Sequence, residues 1–541
     1  MRSGPLSLLA PLVLAPSIAR AQAVHTWGAP PDAQTAPESS SSSAPPPEPP
    51  PATLGTPVAG SAAAPSSPPT TEAGAPIIRT PGAVGLKYTL EGVEVRGNTS
   101  TRAGVVLRYV PFRVGDVLDV DDPELELTRY RLLGTGYFRD AQLSLRRGTR
   151  RGNVILVVDV VERNTVVVDD VWLGLSEDVS SNGNARPLTA YGGAQVTENN
   201  LAGTGVALGG ALAVADQQIA LRASLADPQF LHTNWVARAE LLYNGARDFF
   251  GNRDVLLYDP TEQFADYAVA QYTRFGGRLG GGHDLGVSSQ LFFDYRLEKI
   301  DASFPIAASD HRGLDVEPID FGLIRGSSVL STIGAQFVND TRDDPFLPTR
   351  GHRVELGFDT SLTPLGSDYP YSKLVMRASQ WFALPLGHVL QLRAFGGSVF
   401  GNAPLFERFY VGDLSDLLPD RVLDLAFDRR PAPNFLSTDI VETRYGTYAA
   451  KLDAEYRVPL YRGTRSVYGV DFFGSVGLYG LANEQDFQTP PRGYSGFATW
   501  PIDLTFNLGL RIDTQVGGFV LGLSNLLGLI PIRGAQAGAA R

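Results

Sequence analysis

Histidine is the residue type in this 541-residue chain best suited to acid–base catalysis or metal binding, and the sequence contains six. No His-Glu-x-x-His pattern and no zinc-site spacing occurs among His25, His232, His283, His311, His352 and His388. The chain has no Cys, which excludes disulfides, cysteine nucleophiles and cysteine-ligated metals. We therefore predict no metal site and no cofactor.

Patterns that mark hydrolases or nucleotide-binding enzymes are missing as well. No Gly-x-Ser-x-Gly sequence is present to hold a nucleophilic serine. The run Gly276–Gly282 lacks the Gly-Lys-Ser/Thr ending of a phosphate loop, so small residues in a strand or turn are the better interpretation. Adjacent acids such as Asp343 and Asp344 usually cap a turn. The prediction is a protein without catalytic residues, not an enzyme.

Composition narrows the class of protein further. The chain is 43% hydrophobic and only 19% charged, which is a low charge content for its length. Its net charge of -11 argues against nucleic acid as a partner, because nucleic-acid-binding domains carry a basic surface. Length alone fits either several domains or one large β-structure.

The first 84 residues are predicted to be an export signal and a linker. Residues 1–23 combine a basic start, an apolar run and small-x-small cleavage sites at Ala19-Arg20-Ala21 and Ala21-Gln22-Ala23. Residues 24–84 are dominated by Pro, Ser, Ala and Thr and bury too little apolar surface to fold, so we expect a disordered linker. The linker is either an extended periplasmic spacer or a passive tail.

Residues 86–163 are predicted to form a small mixed domain. The patterns give a strand, two helices and two strands in the order β-α-α-β-β, at about 88–96, 102–110, 121–133, 141–147 and 154–161. Asp121-Asp122-Pro123 supplies a capping carboxylate and a first-turn proline for the second helix.

Residues 165–530 repeatedly alternate apolar and polar side chains with period two. In 450–458 and 502–513, charged or polar residues occupy every second position. A soluble β-sandwich also alternates, but the segments here reach the roughly ten residues that a membrane strand requires. The 20 Tyr and 27 Phe suit aromatic girdles. We therefore predict a mainly β fold, a transmembrane antiparallel β-barrel of about 16 strands.

The whole of 86–530 resembles the BamA/TamA family of outer-membrane assembly and translocation barrels, within the bacterial surface antigen superfamily. Residues 93–99 and 133–138 look like parts of a single POTRA module, and 197–205, 226–230, 340–351 and 407–412 resemble barrel turns and the start of the sixth extracellular loop. The residues that carry the barrel resemblance are Asn199, Gly203, Gly205, Asp227, Pro228, Asp340, Arg342, Asp344, Pro345, Pro348, Gly351, Phe409, Tyr410 and Gly412. Gly, Asn and Pro at these places are also what tight turns require.

The family places a Val-Arg-Gly-Phe type motif in that loop, and its arginine meets an aspartate of a barrel strand in the lumen. No such tetrapeptide follows Gly412 here. The resemblance makes Arg421 the candidate luminal arginine and Asp471 its candidate partner, joined by bidentate hydrogen bonds. The alternative is that Arg421 is one of many arginines without this role.

The C-terminus departs from the family as well, since the last predicted strand, 518–527, is followed by an extension at 531–541. The resemblance implies a poorly paired seam between the first and last barrel strands. Glycines 517, 518, 522 and 528 weaken the last strand, which is consistent with such a seam.

The expected function is an outer-membrane barrel that assists insertion or translocation of client proteins, with its POTRA-like domain in the periplasm. Outer-membrane lipids, unfolded outer-membrane or secreted clients and accessory periplasmic proteins are the expected partners. The alternatives are a passive channel, a structural barrel and a secreted adhesin. The sequence leaves the client, the accessory partners and the direction of transport open.

Overall fold

The computed structural model describes residues 87–233, 235–251, 255–257, 263–464 and 466–522. The predicted signal, linker and C-terminal extension lie outside these residues, as does the end of the predicted barrel region. Most of the described chain is strand, which confirms the mainly β fold class. Within the described ranges, no helix is long and apolar enough to cross a membrane.

Residues 87–162 form what we call the small domain. Its elements are β1 (Lys87–Arg96), α1 (Ala103–Leu107), β2 (Val117–Asp119), α2 (Pro123–Gly134), β3 (Phe138–Arg147) and β4 (Asn153–Glu162). The four strands form a sheet in the order β2-β1-β4-β3, and the two helices pack on it. The three-residue β2 is an addition to the predicted order. The α2 helix begins as predicted, because the Asp122 carboxylate accepts a hydrogen bond from the Glu124 N–H at 2.9 Å.

The second body is a single antiparallel sheet to which the described residues contribute 15 strands. The strands are β5 (Val166–Val179), β6 (Ala185–Glu198), β7 (Ala207–Ala215), β8 (Gln218–Asp227), β9 (Trp235–Phe250), β12 (Ala268–Asp284), β13 (Ser289–Ser303), β16 (Gly326–Asp340), β17 (Gly351–Ser361), β18 (Tyr371–Ala383), β19 (Val389–Gly401), β22 (Tyr448–Arg462), β23 (Val467–Ala482), β24 (Ile502–Thr514) and β25 (Gly517–Gly522). Each pairs with its neighbours in this order. The connections alternate between short turns at one end, called the turn end, and longer loops at the other.

Smaller elements lie in the long loops. They are β10 (Val255–Leu257), β11 (Gln263–Ala265), β14 (Ala308–Arg312), β15 (Asp315–Pro318), β20 (Phe409–Tyr410), β21 (Tyr445–Gly446) and the helix α3 (Glu484–Gln488). β10, β11, β14 and β15 form a separate sheet at the loop end, and β20 pairs with β21 inside the longest loop.

The barrel sheet exposes apolar side chains and buries charged ones. Along β13, Phe293, Tyr295 and Leu297 are exposed, whereas the alternating Asp294 and Glu298 are 5% and 1% exposed. In water this arrangement would be unfavourable on both faces. It is the alternation of a transmembrane barrel, with apolar side chains toward lipid and polar side chains toward the interior.

The first and last described strands of the sheet meet at what we call the seam. The Val168 N–H donates a hydrogen bond to the Val516 carbonyl at 2.7 Å. At Gly517, whose φ is +141°, a Cβ atom would lie 2.4 Å from the Val168 carbonyl oxygen, so only glycine allows this approach. The two ends of the described sheet are therefore in direct contact at the turn end.

Glu162, at the end of β4, fixes the turn that follows β1. Its carboxylate accepts hydrogen bonds from the N–H groups of Thr99, Ser100 and Thr101 at 3.1, 3.0 and 2.6 Å. Burial alone would raise the pKa of Glu162, but the Thr99 hydroxyl and these backbone groups lower it from 4.5 to about 2. The small domain is thus more stable with this carboxylate ionised.

We predict that acid removes this contribution. The unfolded chain binds the proton near pH 4.5 and the folded domain near pH 2, so the stabilisation is complete above about pH 4.5 and is lost toward pH 2. At pH 7, Glu162→Gln should destabilise the small domain by about 1 kcal/mol, since solvent screens this partly exposed group. Pulse proteolysis in urea, scored for cleavage within 87–163, measures the difference. A difference independent of pH would contradict the assignment.

Candidate functional site

The small domain is docked against the turn end of the barrel, and the first contact is the turn between β6 and β7. The Arg102 N–H donates to the Gly203 carbonyl at 3.0 Å. Gly203 has a φ of +73°, and a Cβ there would lie 2.1 Å from the Ser100 carbonyl oxygen. Glycine is therefore required both by the backbone conformation and by the close approach of the small domain.

Neighbouring residues of the same turn extend this contact. The Asn200 side chain donates to the Thr101 hydroxyl at 2.8 Å and accepts from the Gly205 N–H at 2.7 Å. The Gly205 carbonyl accepts from the Tyr137 hydroxyl at 2.9 Å. Asn199 joins the turn to the start of β5, since its N–H donates to the carbonyl of the preceding residue, Thr165, at 2.9 Å.

A buried ion pair holds the helices of the small domain to the next two turns. Arg108, after α1, and Arg131, in α2, both donate to the carboxylate of Asp284 at the end of β12. Arg108 also donates to the Pro228 carbonyl at 2.9 Å, and the neighbouring Asp227 accepts from the Gln229 N–H at 2.8 Å. Asp284 was not predicted from the sequence, because its neighbours in the sequence do not distinguish it from other acids at the ends of strands.

The turn at 340–351 is held by its own side chains. Arg342 forms a bidentate pair with Asp340, and its guanidinium also donates to the Pro345 carbonyl at 3.2 Å. The Asp344 carboxylate accepts from the Phe346 and Leu347 N–H groups at 2.7 and 2.8 Å. These bonds present the Phe346 ring toward the seam, where it lies 3.3 Å from the Cβ position of Gly518.

The ends of this turn are fixed to other parts of the barrel. The Pro348 carbonyl accepts a hydrogen bond from Arg457 of β22. Gly351, with a φ of +97°, starts β17, and a Cβ there would lie 2.2 Å from the Thr341 carbonyl oxygen.

The loop between β19 and β22, residues 402–447, fills the barrel interior and is called the plug loop. Phe409 and Tyr410 form β20 and are 7% and 1% exposed. A Cβ on Gly412 would lie 2.4 Å from the Tyr410 ring and 2.5 Å from the Pro419 carbonyl oxygen, so this bend of the loop requires glycine. The loop is therefore packed as a core rather than as a surface segment.

The structure does not bring Arg421 and Asp471 together, so the predicted pair does not form. Arg421 stays within the plug loop, where it donates to the Asp413 carboxylate and to the Phe406 carbonyl at 3.2 Å. Asp471 lies near the turn-end start of β23 and pairs with Arg462 at 2.5 Å. Each residue therefore has another partner: Arg421 has an acid of its own loop, and Asp471 has an arginine of the adjacent strand.

The residue that reaches the wall from the loop tip is Asp424. Leu423 and Asp424 have φ values of +49° and +67° and form a two-residue turn closed by the Val422–Leu425 bridge. The Asp424 carboxylate accepts from Arg222 of β8 at 2.6 Å and from Arg274 of β12 at 3.0 Å. At this tip, loop and wall meet through an acid on the loop, which is the opposite polarity to that implied by the family resemblance. Elsewhere Arg429 of the loop pairs with Glu177 of β5.

Backbone groups on both sides of this turn add two more contacts with the wall. The Leu423 carbonyl accepts from the Asn244 side chain of β9 at 2.8 Å, and the Ala426 carbonyl accepts from Gln218 of β8 at 3.0 Å. Burial alone would raise the pKa of Asp424, but Arg222 and Arg274 hold it well below its usual range. The carboxylate therefore stays charged at any physiological pH.

Part of this chain is similar to a known family of proteins. Residues 200–417 match the Omp85 superfamily domain. Over 339 residues the chain is 24% identical to the outer membrane protein assembly factor BamA of Nitratidesulfovibrio vulgaris (strain Hildenborough), covering 61% of this chain and 37% of that protein. The chain thus spans a little over a third of the length of this relative.

Two solved structures are similar to this chain at low sequence identity. BamA from Haemophilus ducreyi lacking POTRA domains 1–3 is 14% identical, covers 80% of each chain and has a TM-score of 0.42. CdiB from Escherichia coli is 11% identical, covers 79% of this chain and 70% of that chain, and has a TM-score of 0.49.

The first prediction from the site concerns docking. Gly203→Ala should displace the small domain, because the added methyl group meets the Ser100 backbone and the φ of +73° disfavours alanine. The chain has no Cys, so spin labels on cysteines introduced at Arg150 and Leu285 give an unambiguous distance by pulsed EPR. We expect a longer or broader distance distribution. Gly210→Ala, whose Cβ would meet no atom within 4 Å, is the matched control and should leave the distribution unchanged.

Substitutions at Asp424 and at Arg421 should affect the loop tip differently. Asp424→Asn should loosen the loop tip, since the two wall arginines lose the negative charge that faces them. A cysteine at Ala426, which is 1% exposed, should then react with maleimide about tenfold faster. Arg421→Gln should stay within about twofold of the parent rate, because Arg421 bonds inside the loop. Faster labelling in Arg421→Gln alone would reverse the assignment.

Proposed function

We propose, from the match of residues 200–417 to the Omp85 superfamily domain, that this chain is an outer-membrane barrel that inserts or translocates client proteins through its seam. The proposal extends to the whole architecture. The small domain acts as a single POTRA-like module on the periplasmic side, residues 1–23 direct export, and residues 24–84 form the linker. The lipids of the outer membrane and unfolded clients are the partners.

The observation that carries the proposal is the sparse backbone pairing between the two ends of the described sheet. In the described part of the chain, one backbone hydrogen bond, from Val168 to Val516, joins the two ends of the sheet. By contrast, β5 and β6 are paired from Val166 to Val179. A strand edge with unpaired N–H and C=O groups templates the addition of another strand. A client strand would gain at the seam hydrogen bonds to the edge groups of β5 that the described residues leave without a strand partner.

The small domain supports the same proposal. β2 and β3 are the outer strands of its sheet, so each offers an edge on which an extended client segment can add. Val114, Val117 and Val120, in and beside β2, are exposed, and Val117 is 63% exposed. An apolar edge of this kind fits an unfolded, apolar client.

The plug loop disfavours a passive channel. Its acids reach opposite parts of the wall: Asp424 pairs with β8 and β12, Glu407 pairs with Lys373 of β18, and Asp416 pairs with Lys451 of β22. A loop tied to the wall at these places crosses the interior. Steady diffusion of solutes through the barrel would require these pairs to break.

We predict that the protein, refolded into liposomes, accelerates the appearance of a protease-protected client barrel relative to empty liposomes. A disulfide between cysteines placed at Val168 and Val516 should abolish the acceleration, and a reductant should restore it, because the closed seam then has no free edge. The matched control is a cysteine pair at Leu212 and Leu221, directly paired positions of β7 and β8 away from the seam. Oxidation of this control pair should leave the rate unchanged.

Two outcomes count against the proposal. Acceleration that persists with the seam closed by the disulfide would exclude the seam as the route. No acceleration, together with steady ion conductance of the reconstituted protein, would identify a channel instead.

A further inference from the structure

The loop between β23 and β24, residues 483–501, exposes three large aromatic side chains, and we call it the anchor loop. Phe487, in α3, is 64% exposed, Phe497 is 58% exposed and Trp500 is 62% exposed. Exposure of such side chains to water is unfavourable, and soluble proteins seldom gather large apolar groups on their surface. Their position relative to the lipid-facing surface of the barrel therefore decides what surrounds them.

Strand β22 shows where the apolar band of the barrel ends. Leu452 and Tyr456 are exposed, whereas Glu455 and Arg457 are buried, so the even-numbered positions face lipid. From Tyr448 to Tyr456 this strand covers about 26 Å along its length, which is about 20 Å along the barrel axis at a tilt of about 40°. The outward apolar band of such barrels is about 25 Å tall and carries aromatic residues at both edges. Tyr448 therefore marks the edge of the band at the loop end.

The anchor loop adjoins this edge. The Phe487 ring centroid lies 5.6 Å from that of Tyr448, and the Tyr448 ring centroid lies 6.0 Å from that of Phe400 in β19. Phe400 shares a face of β19 with Leu392, and both side chains are exposed. The three rings form one continuous surface, so Phe487 lies at the height of the lipid boundary.

Trp500 continues the lipid-facing row of the next strand. It precedes Ile502, the first residue of β24, by two positions and is extended, with φ of -93° and ψ of 115°. Leu504 and Leu508 are exposed in the same register, whereas Asp503 is buried. Tryptophan is enriched at membrane–water boundaries because its ring is amphipathic. The Trp500 indole is therefore placed where the lipid tails meet the headgroups.

The opposite side of α3 faces the protein. The Asp486 carboxylate is buried, accepts a hydrogen bond from the Asn483 N–H at 2.7 Å and pairs with Arg312 of β14. The Asn483 side chain donates to the Tyr445 carbonyl of the plug loop at 3.2 Å. The helix is thus held on its polar side and presents Phe487 outward, which is the arrangement of an interfacial helix.

We propose that the anchor loop binds the lipid bilayer, with Phe487, Phe497 and Trp500 inserted at the boundary between acyl chains and headgroups. The occupant of this surface is lipid, because the surface continues the lipid-facing sides of β19, β22 and β24. Removal of each ring from water favours the inserted loop. The contact with the bilayer does not depend on the proposed function, and only its assignment to the outer leaflet does.

Lipid contact of the anchor loop also positions the β14–β15 hairpin. Arg492 of the loop pairs with Asp315 of β15 at 2.6 Å, and the Arg492 carbonyl accepts from the Leu314 N–H at 3.0 Å. The pair between Arg312 and Asp486 joins the hairpin to the same loop. A loop held by the bilayer therefore holds this hairpin at the loop end of the barrel.

The test uses the full chain refolded into phosphatidylcholine liposomes and measures the depth of the loop. The chain has no Cys, so a single cysteine at Phe487, Phe497 or Trp500 carries one nitroxide label. In power-saturation EPR, collisions with oxygen should exceed those with a water-soluble nickel chelate by about threefold. A label at Leu452, on the lipid face of β22, should behave in the same way. A label at the exposed Arg150 of the small domain should instead favour the nickel chelate.

Two results would overturn the proposal. Nickel collisions as frequent at all three loop positions as at Arg150 would place the loop in water. Protection from both reagents, with dipolar broadening that grows with the density of protein in the liposomes, would identify a second copy of this chain as the occupant.

A second measurement tests the hairpin. The combined variant Phe487→Ser, Phe497→Ser and Trp500→Ser should raise the mobile fraction of a label at Val316 of β15 about threefold, because the loop leaves the bilayer. Phe275→Ala, which removes an exposed aromatic ring from the lipid face of β12, is the control and should leave that fraction unchanged.

Heat-modifiable migration in SDS gels reports a folded barrel in each variant. Unchanged mobility at Val316 in the folded triple variant would overturn the positioning of the hairpin by lipid. None of these measurements involves a client. A protein whose anchor loop lies in the bilayer but which inserts no client would refute the proposed function and leave this inference standing.

Discussion

The constraint on which the structure depends is that charges in a barrel with an apolar exterior must be neutralised inside it. A charge without a partner in such an interior is costly, and a paired and hydrogen-bonded one is tolerated. The wall meets this requirement partly by itself, as where Arg274 of β12 donates bidentately to Glu298 of β13. Some wall cations pair instead with acids of the plug loop, such as Lys373 with Glu407 and Lys451 with Asp416.

The plug loop is suited to this role by its composition. Residues 402–447 contain eight acids and five arginines and no lysine. Glu407 neutralises Arg296 and Lys373, and Asp424 neutralises Arg222 together with Arg274. Removal of the loop would therefore take the acid partners from Arg222, Lys373 and Lys451. Arg274 and Arg296 would keep Glu298. The loop is an electrostatic component of the barrel core.

The fold was predictable from the sequence because it follows from local patterns. Alternation with period two gave the strands and the side of each that faces lipid, and Asp122 with Pro123 gave the start of α2. The glycines at 203 and 351 marked turns because both require a positive φ. These signals lie within a few residues of one another and need no knowledge of the tertiary arrangement.

The contacts between distant segments were not predictable in the same way. Arg421 and Asp424 are three residues apart in one loop, and only the turn at Leu423 and Asp424 decides which of them points to the wall. A bulky residue such as leucine with positive φ gives no sequence signal, unlike glycine. The ion pair between Arg163 and Asp513 likewise has no signal in the sequence, because the two residues lie 350 positions apart.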